Sequence, residues 1–384
     1  MRLTRGSITG RRGGTGLAVL LVAATCAVGA TAAGQAGPTF KKVGGWGKVG
    51  KANGQFGGNA FGLAVARSGD VYVADSDNRR VQIFSAAGAF KRVFAFGADE
   101  VAQDVATGPD GTGWVAVLQA GEVRQLGGDQ TISTDKQAIG VAVDADGNVY
   151  ASTAGDNIQN VSRYDKASGY AKGKTLGGVR DPGDVETSPD GSLYVVDGLT
   201  VKRFVADKLV KTIRGGVSKP IGIGVDLDCN LWMTNISQRN LTKVSPSGKV
   251  LGTAATPDLI AQDVAVGPKG DLYAYDGSSH GIVRLAEDRA KPAAAPVGGS
   301  VTVANGVARV KYTLSGVACP AQVAATASLS GAVNGKAGVR VAAGKSTVLS
   351  IPAKGSSGKA QFKIVLKTNG RPTTQVATVN VTAR

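Results

Sequence analysis

Six stretches of the sequence align without a gap around a tight turn, and this internal period limits the fold more than any other feature. They read FGLAVARSGDVY from Phe61, QDVATGPDGTGW from Gln103 and IGVAVDADGNVY from Ile139, then GDVETSPDGSLY from Gly183, IGIGVDLDCNLW from Ile221 and QDVAVGPKGDLY from Gln262. The turn position holds Gly69, Gly111, Gly147, Gly191, Cys229 and Gly270, at successive spacings of 42, 36, 44, 38 and 41 residues. Three residues beyond each turn stands an aromatic: Tyr72, Trp114, Tyr150, Tyr194, Trp232 and Tyr273. An apolar strand that runs into an Asp-Gly type turn and continues as a second strand is a β-hairpin, with glycine supplying positive φ at no steric cost. A third strand follows in every copy, from VQIF at Val81 to IVRL at Ile282. Its period-two alternation puts apolar ends on one face and a polar residue between them. A fourth is clearest in AFKRVFAFG from Ala89. Four strands in about 40 residues, repeated six times, specify an all-β chain built around a six-bladed β-propeller.

The sixth copy has no fourth strand: after Leu285 the chain runs into AEDRAKPAAAP. At the other end, TFKKVGGWG from Thr39 matches AFKRVFAFG position by position. Residues 39–47 are therefore expected to complete the last blade of a ring spanning 37–290, which removes the open sheet edge that would otherwise invite aggregation.

Charge marks the remaining segments. The net +16 is confined to the two ends: residues 1–36 carry Arg2, Arg5, Arg11 and Arg12 without an acid, and 291–384 carry 12 basic residues without an acid. Between them 28 basic residues balance 28 acidic ones. Four arginines, an apolar run from Leu17 to Ala33 and small residues near Ala36 read as a signal peptide over 1–36. Export by the general or the twin-arginine route, a lipidated Cys26 and a retained membrane anchor all stay open. KPAAAPVGG over 291–299 reads as a linker. Seven short strand-like runs over 300–384 then suggest a basic immunoglobulin-like β-sandwich. Its charge favours an anionic partner such as an envelope component, or merely keeps the module soluble. Nucleic acid is disfavoured, because Tyr312 and Phe362 are the module's only aromatics. A single histidine and three cysteines exclude a His-triad metal site, a zinc ribbon and a disulfide framework. With a leader removed, Cys229 and Cys319 fall in different domains, so no disulfide is required.

The stretch GLAVARSGDVYVADSDNRRVQIFSAAGAFKRVFAFG from Gly62 resembles an NHL repeat, and the later units resemble degenerate copies over roughly 39–288. The resemblance implies a propeller that serves in different proteins as a sensor domain, as an RNA- or protein-binding platform, or as a lyase. Fold alone does not choose among these. The ubiquitin-ligase role of some relatives requires a RING, which the cysteine and histidine counts exclude.

Seven residues before the turn, odd blades carry Gly62, Gly140 and Gly222, whereas even blades carry Asp104, Asp184 and Asp263. Alternate blades of a six-membered ring lie a third of a turn apart, so the three carboxylates converge on the central channel. One expectation is a threefold ring that holds a hard cation such as Ca²⁺ through Asp104, Asp184 and Asp263. The other is that each aspartate accepts backbone hydrogen bonds from a neighbouring blade. Glu186, the only glutamate on an inner strand, is a possible accessory acid. His280 reads as a surface turn residue, and Asp75, Asp197, Asn235 and Asp276 as turn caps. The function expected is a secreted or envelope-associated, monomeric, non-enzymatic binding or scaffold protein for a small molecule, peptide or envelope polymer. The alternative is a propeller hydrolase or lyase of the gluconolactonase or streptogramin-lyase kind with a carboxylate-bound divalent metal.

Overall fold

A computed structural model describes residues 40–134, 136–155, 159–171, 173–255, 259–287, 300–304, 307–313, 322–342, 346–368 and 371–383. The expected signal peptide over 1–36 and linker over 291–299 lie outside the described residues, as do Cys26 and Cys319. No helix among the described residues is long and apolar enough to cross a membrane.

Six four-stranded antiparallel sheets follow the six repeats. The first blade comprises Gly62–Val65, Val71–Asp75, Arg80–Phe84 and Phe90–Ala95. The next four run in the same inner-to-outer order and begin at Ala102, Gln137, Pro182 and Ile223. The sixth takes Ala261–Val266, Leu272–Asp276 and Gly281–Glu287 from its own repeat. Its outermost strand is Phe40–Trp46, paired antiparallel from Phe40↔Glu287 to Trp46↔Ile282. Each innermost strand packs against the next, and Gly62–Val65 packs against Ala261–Val266, so the ring is closed. The fold is a six-bladed β-propeller.

Packing explains the invariant aromatic. Tyr72, Trp114, Tyr150, Tyr194, Trp232 and Tyr273 are all buried, and the apolar clusters join adjacent blades. One unites Tyr72, Val81 and Ile83 of the first blade with Val105, Val115 and Val117 of the second. Another unites Leu63, Val71 and Phe84 with Tyr273, Tyr275 and Ile282 of the sixth. No blade has a core of its own; burial is completed only by neighbours, as in other repeat architectures.

The segment between the closing strand and the first blade is clamped by polar side chains. Arg80, 8% exposed, donates from Nε to Asp75 at 2.7 Å. Its remaining nitrogens reach the carbonyls of Lys51, Ala52 and Gln55 at 2.8–3.0 Å. Asn78 donates to the Gly50 carbonyl, and Gln82 bonds Gln55 O and the Gly54 amide. These side chains belong to the ADSDNRRVQ stretch, which is complete only in the first blade. There it holds the segment that leads out of the ring's closure.

Beyond the linker, the seven expected runs form five strands in one hydrogen-bonded system. QVAATASLS and the GVRVA of GVRVAAG are parts of one strand, Gln322–Ala342, and STVLSI and AQFKIVLKT are parts of Ser346–Thr368. The glycines that read as turns bend these strands without ending them: Gly331 and Gly355 have φ of 119° and 150°, and the register shifts between Gly331 and Val333. Lys336, Lys354, Lys359 and Lys363 are exposed.

Candidate functional site

The inner strands carry a local irregularity that sets the direction of the aspartates. In the second and sixth blades the register shifts between Ala102 and Asp104 and between Ala261 and Asp263, leaving Gln103 and Gln262 as bulge residues. In the fourth it shifts between Pro182 and Val185. A bulge re-aims the side chains beside it, and here each carboxylate turns toward the next blade. Asp104 Oδ2 accepts the Val141 amide at 2.8 Å, Asp184 Oδ2 the Ile223 amide at 2.6 Å, and Asp263 Oδ2 the Leu63 amide at 2.7 Å. The second oxygens of Asp104 and Asp263 accept from Val105 and Val264, both at 2.7 Å. Three aspartates thus tie the second blade to the third, the fourth to the fifth, and the sixth to the first.

The glycines of the odd blades make this arrangement possible. A Cβ on Gly62 would fall inside contact distance of the Asp104 backbone, and one on Gly222 would lie 2.6 Å from Asp263 Cα. Six aspartates at this level could not fit; alternation with glycine leaves room for three. Among the described residues no group of three or more His, Cys, Asp or Glu side chains is placed to hold a metal ion, these aspartates included. Asp104, Asp184 and Asp263 serve as interblade ties, each with one carboxylate oxygen on a backbone amide of the adjoining blade.

The channel is nonetheless acidic. Burial, with the neighbouring Asp263 charge, lifts Asp104 well above the usual carboxylate range, and burial with Asp263 and Asp104 does the same to Asp184. Burial pushes Asp263 up to about 7, against its two backbone hydrogen bonds. Burial and the Asp263 charge push Glu186 up to about 8.

Glu186 stands five residues before its turn. The other blades carry Ala64, Ala106, Ala142, Gly224 and Ala265 there, so at this level Glu186 is the one long side chain. All six line an inner cavity of about 70 Å³, room for a few water-sized groups. It opens, past Val65, Val143 and Val266, into a mouth of about 520 Å³ built by the six turns after the inner strands. Pro109, Pro189 and Pro268 line the mouth from even blades, and Arg67, Ala145 and Leu227 from odd blades. Sequence reasoning missed this mouth, although the same odd–even alternation that exposed the aspartates would have marked it.

The remaining expected positions are structural. Asp75 accepts from the Gly57 amide, Asp197 from the Arg180 and Asp181 amides, and Asp276 from the Ile260 amide. They clamp the loop that leads into their own blade, a longer reach than the expected turn cap. Asn235 caps the short 3₁₀ turn Ile236–Gln238. His280 occupies a turn with φ of 50°, with its ring Nδ1 3.5 Å from the Tyr275 hydroxyl. Cys229 replaces the turn glycine at φ 58°, is fully buried and is disulfide-bonded. The cysteine count had not required that bond.

Closure, blade count and the polar clamp define a propeller of repeated blades. Within it, residues 62–84 match the NHL repeat family model. Three solved structures share the fold. A putative gluconolactonase is 15% identical with a TM-score of 0.51, over 66% of this chain and 93% of that one. Regucalcin, a calcium-binding protein from Agrobacterium tumefaciens, is 15% identical with a TM-score of 0.50, over 65% and 95%. A streptogramin B lyase is 11% identical with a TM-score of 0.50, over 65% and 98%. At these identities the likeness is one of fold. No curated protein matches the sequence significantly.

Proposed function

We propose that the chain is an exported, non-catalytic binding protein, in which the propeller takes a small molecule or the side chain of a larger partner at the channel mouth. The basic C-terminal module would hold it near an anionic envelope component. The observation that carries this reading is the mouth itself. Its volume of about 520 Å³ is that of a small-ligand pocket, all six blades line it, and a closed ring makes it rigid. The acidic run of the inner strands serves the ring: three of its four carboxylates tie blades together. Export rests on the leader-like sequence over 1–36, and the envelope role on the charge of 291–384.

The test uses the purified protein with soluble wall-derived peptides and saccharides, read by thermal shift and by mass spectrometry of the ligand. Saturable binding without chemical change is expected. Ala145→Trp, a substitution at an exposed position on the mouth, should weaken it. Turnover of a lactone or cyclic depsipeptide would replace this reading with an enzymatic one.

A further inference from the structure

We propose that the channel mouth is a receptor for a protonated amine, such as an alkylammonium group or the side chain of lysine, captured by the carboxylate of Glu186. The inference rests on the binding role given above and names the chemistry of the ligand.

Two observations converge on it. Glu186 reaches into a cavity whose other five positions at that level are alanine or glycine, so space exists in front of the carboxyl group. Its carboxyl group accepts from the amide of its own neighbour, Thr187. Among the described residues no ion pair engages it, whereas Asp75, Asp190 and Asp226 are paired. An ammonium group carries three donors and no acceptor, which suits a carboxylate. Second, four valines, Val65, Val143, Val225 and Val266, stand beside Thr107 and Thr187 on the way from the carboxyl group to the outside. They match the methylene stem of an aliphatic amine, whose charged end alone requires polar contact.

Sign selectivity follows from the surroundings. Asp104, Asp184 and Asp263 add three more carboxyl groups to the same channel, and Arg67 is the one base among the residues that line the mouth. An anion would meet four carboxyl groups there. A divalent cation would find one carboxylate where several oxygen ligands are needed, because the aspartates face the adjoining blades.

The test titrates n-butylammonium chloride into the purified full chain, with sodium chloride at equal ionic strength, n-butanol, sodium butyrate and calcium chloride as comparisons. A concentration-dependent rise in melting temperature with butylammonium alone is expected. Apparent affinity should fall at least about tenfold in Glu186→Gln, as for loss of a charge-assisted hydrogen bond. Glu186→Asp should recover part of it, and Ala145→Trp should block it at the rim. The Asp and Trp variants keep the comparison intact if the Gln protein does not fold. Equal responses in wild type and Glu186→Gln would overturn the inference. So would a response to butyrate as large as that to butylammonium, or a larger calcium response lost with Glu186. If butylammonium fails while wall fragments still bind and Ala145→Trp still blocks them, the amine falls and the binding role stands. If both fail, both fall.

Discussion

Replacing Glu186 by glutamine should make the propeller more stable at alkaline pH and leave it unchanged at acid pH. The carboxyl group is pushed up to about 8 from an ordinary value of 4.5 by burial and by the Asp263 charge. The folded protein therefore binds this proton more tightly than the unfolded chain, and the stability gained from it is lost as pH rises from about 4.5 through 8. At about 1.4 kcal/mol per unit, full ionisation costs the folded state on the order of 3–5 kcal/mol. Glutamine occupies nearly the same volume and carries no charge, so the cost disappears. For a ring of this size 1 kcal/mol moves the melting temperature by roughly 2–4 °C, and the variant should melt on the order of 10 °C higher at pH 9. Melting curves at constant ionic strength from pH 5 to 9 measure it. Both proteins should lose stability toward high pH, because Asp263 is also raised, to about 7, but the gap between them should open from about pH 4.5 and stop widening above about pH 8. A gap independent of pH, or a less stable glutamine protein at pH 9, would refute the reasoning.

Other perturbations address the frame. Arg80→Ala removes a buried guanidinium bonded to Asp75 and three carbonyls. It should cost about 3–5 kcal/mol, with faster amide exchange at Phe56 and Gly57 as the local reading. Gly62→Ala forces a methyl group into the Asp104 backbone; a loss of roughly 1–3 kcal/mol is expected from overpacking, seen as a lower urea midpoint. Reducing agent should lower the melting temperature of the wild type, since Cys229 is disulfide-bonded and such bonds contribute about 2–4 kcal/mol. Cys229→Gly should remove that sensitivity, and peptide mapping without reduction identifies the partner cysteine.

What the sequence reveals and what it hides divide along physical lines. The turns, the buried aromatics and the closing strand are legible because each repeats, or matches, a local pattern that six copies make plain. The direction of Asp104 and Asp263 is legible only as one of two expectations, because nothing in the composition marks the bulges at Gln103 and Gln262 that turn the carboxylates toward the next blade. The reach of Asp75 and Asp276 to loop amides at Gly57 and Ile260 depends on tertiary proximity; a short window sees only a turn. In the C-terminal module, glycine reads as a turn but Gly331 and Gly355 sit within continuous strands. The channel mouth exists only once six turns meet, so no single repeat announces it.

The strand that completes the sixth blade has a consequence for how the molecule is made. Phe40 pairs with Glu287, 247 residues later. The first blade can form its sheet as soon as its own residues are available, but the sixth cannot gain its outer strand by any local event. Ring closure joins the most distant contacts in the propeller, and such contacts form late because loop closure must precede their reward. A nascent chain that lacks the strand Gly281–Glu287 therefore holds two unsatisfied sheet edges. The molecule's last sheet edge is covered only in a chain synthesised to the end of its last blade.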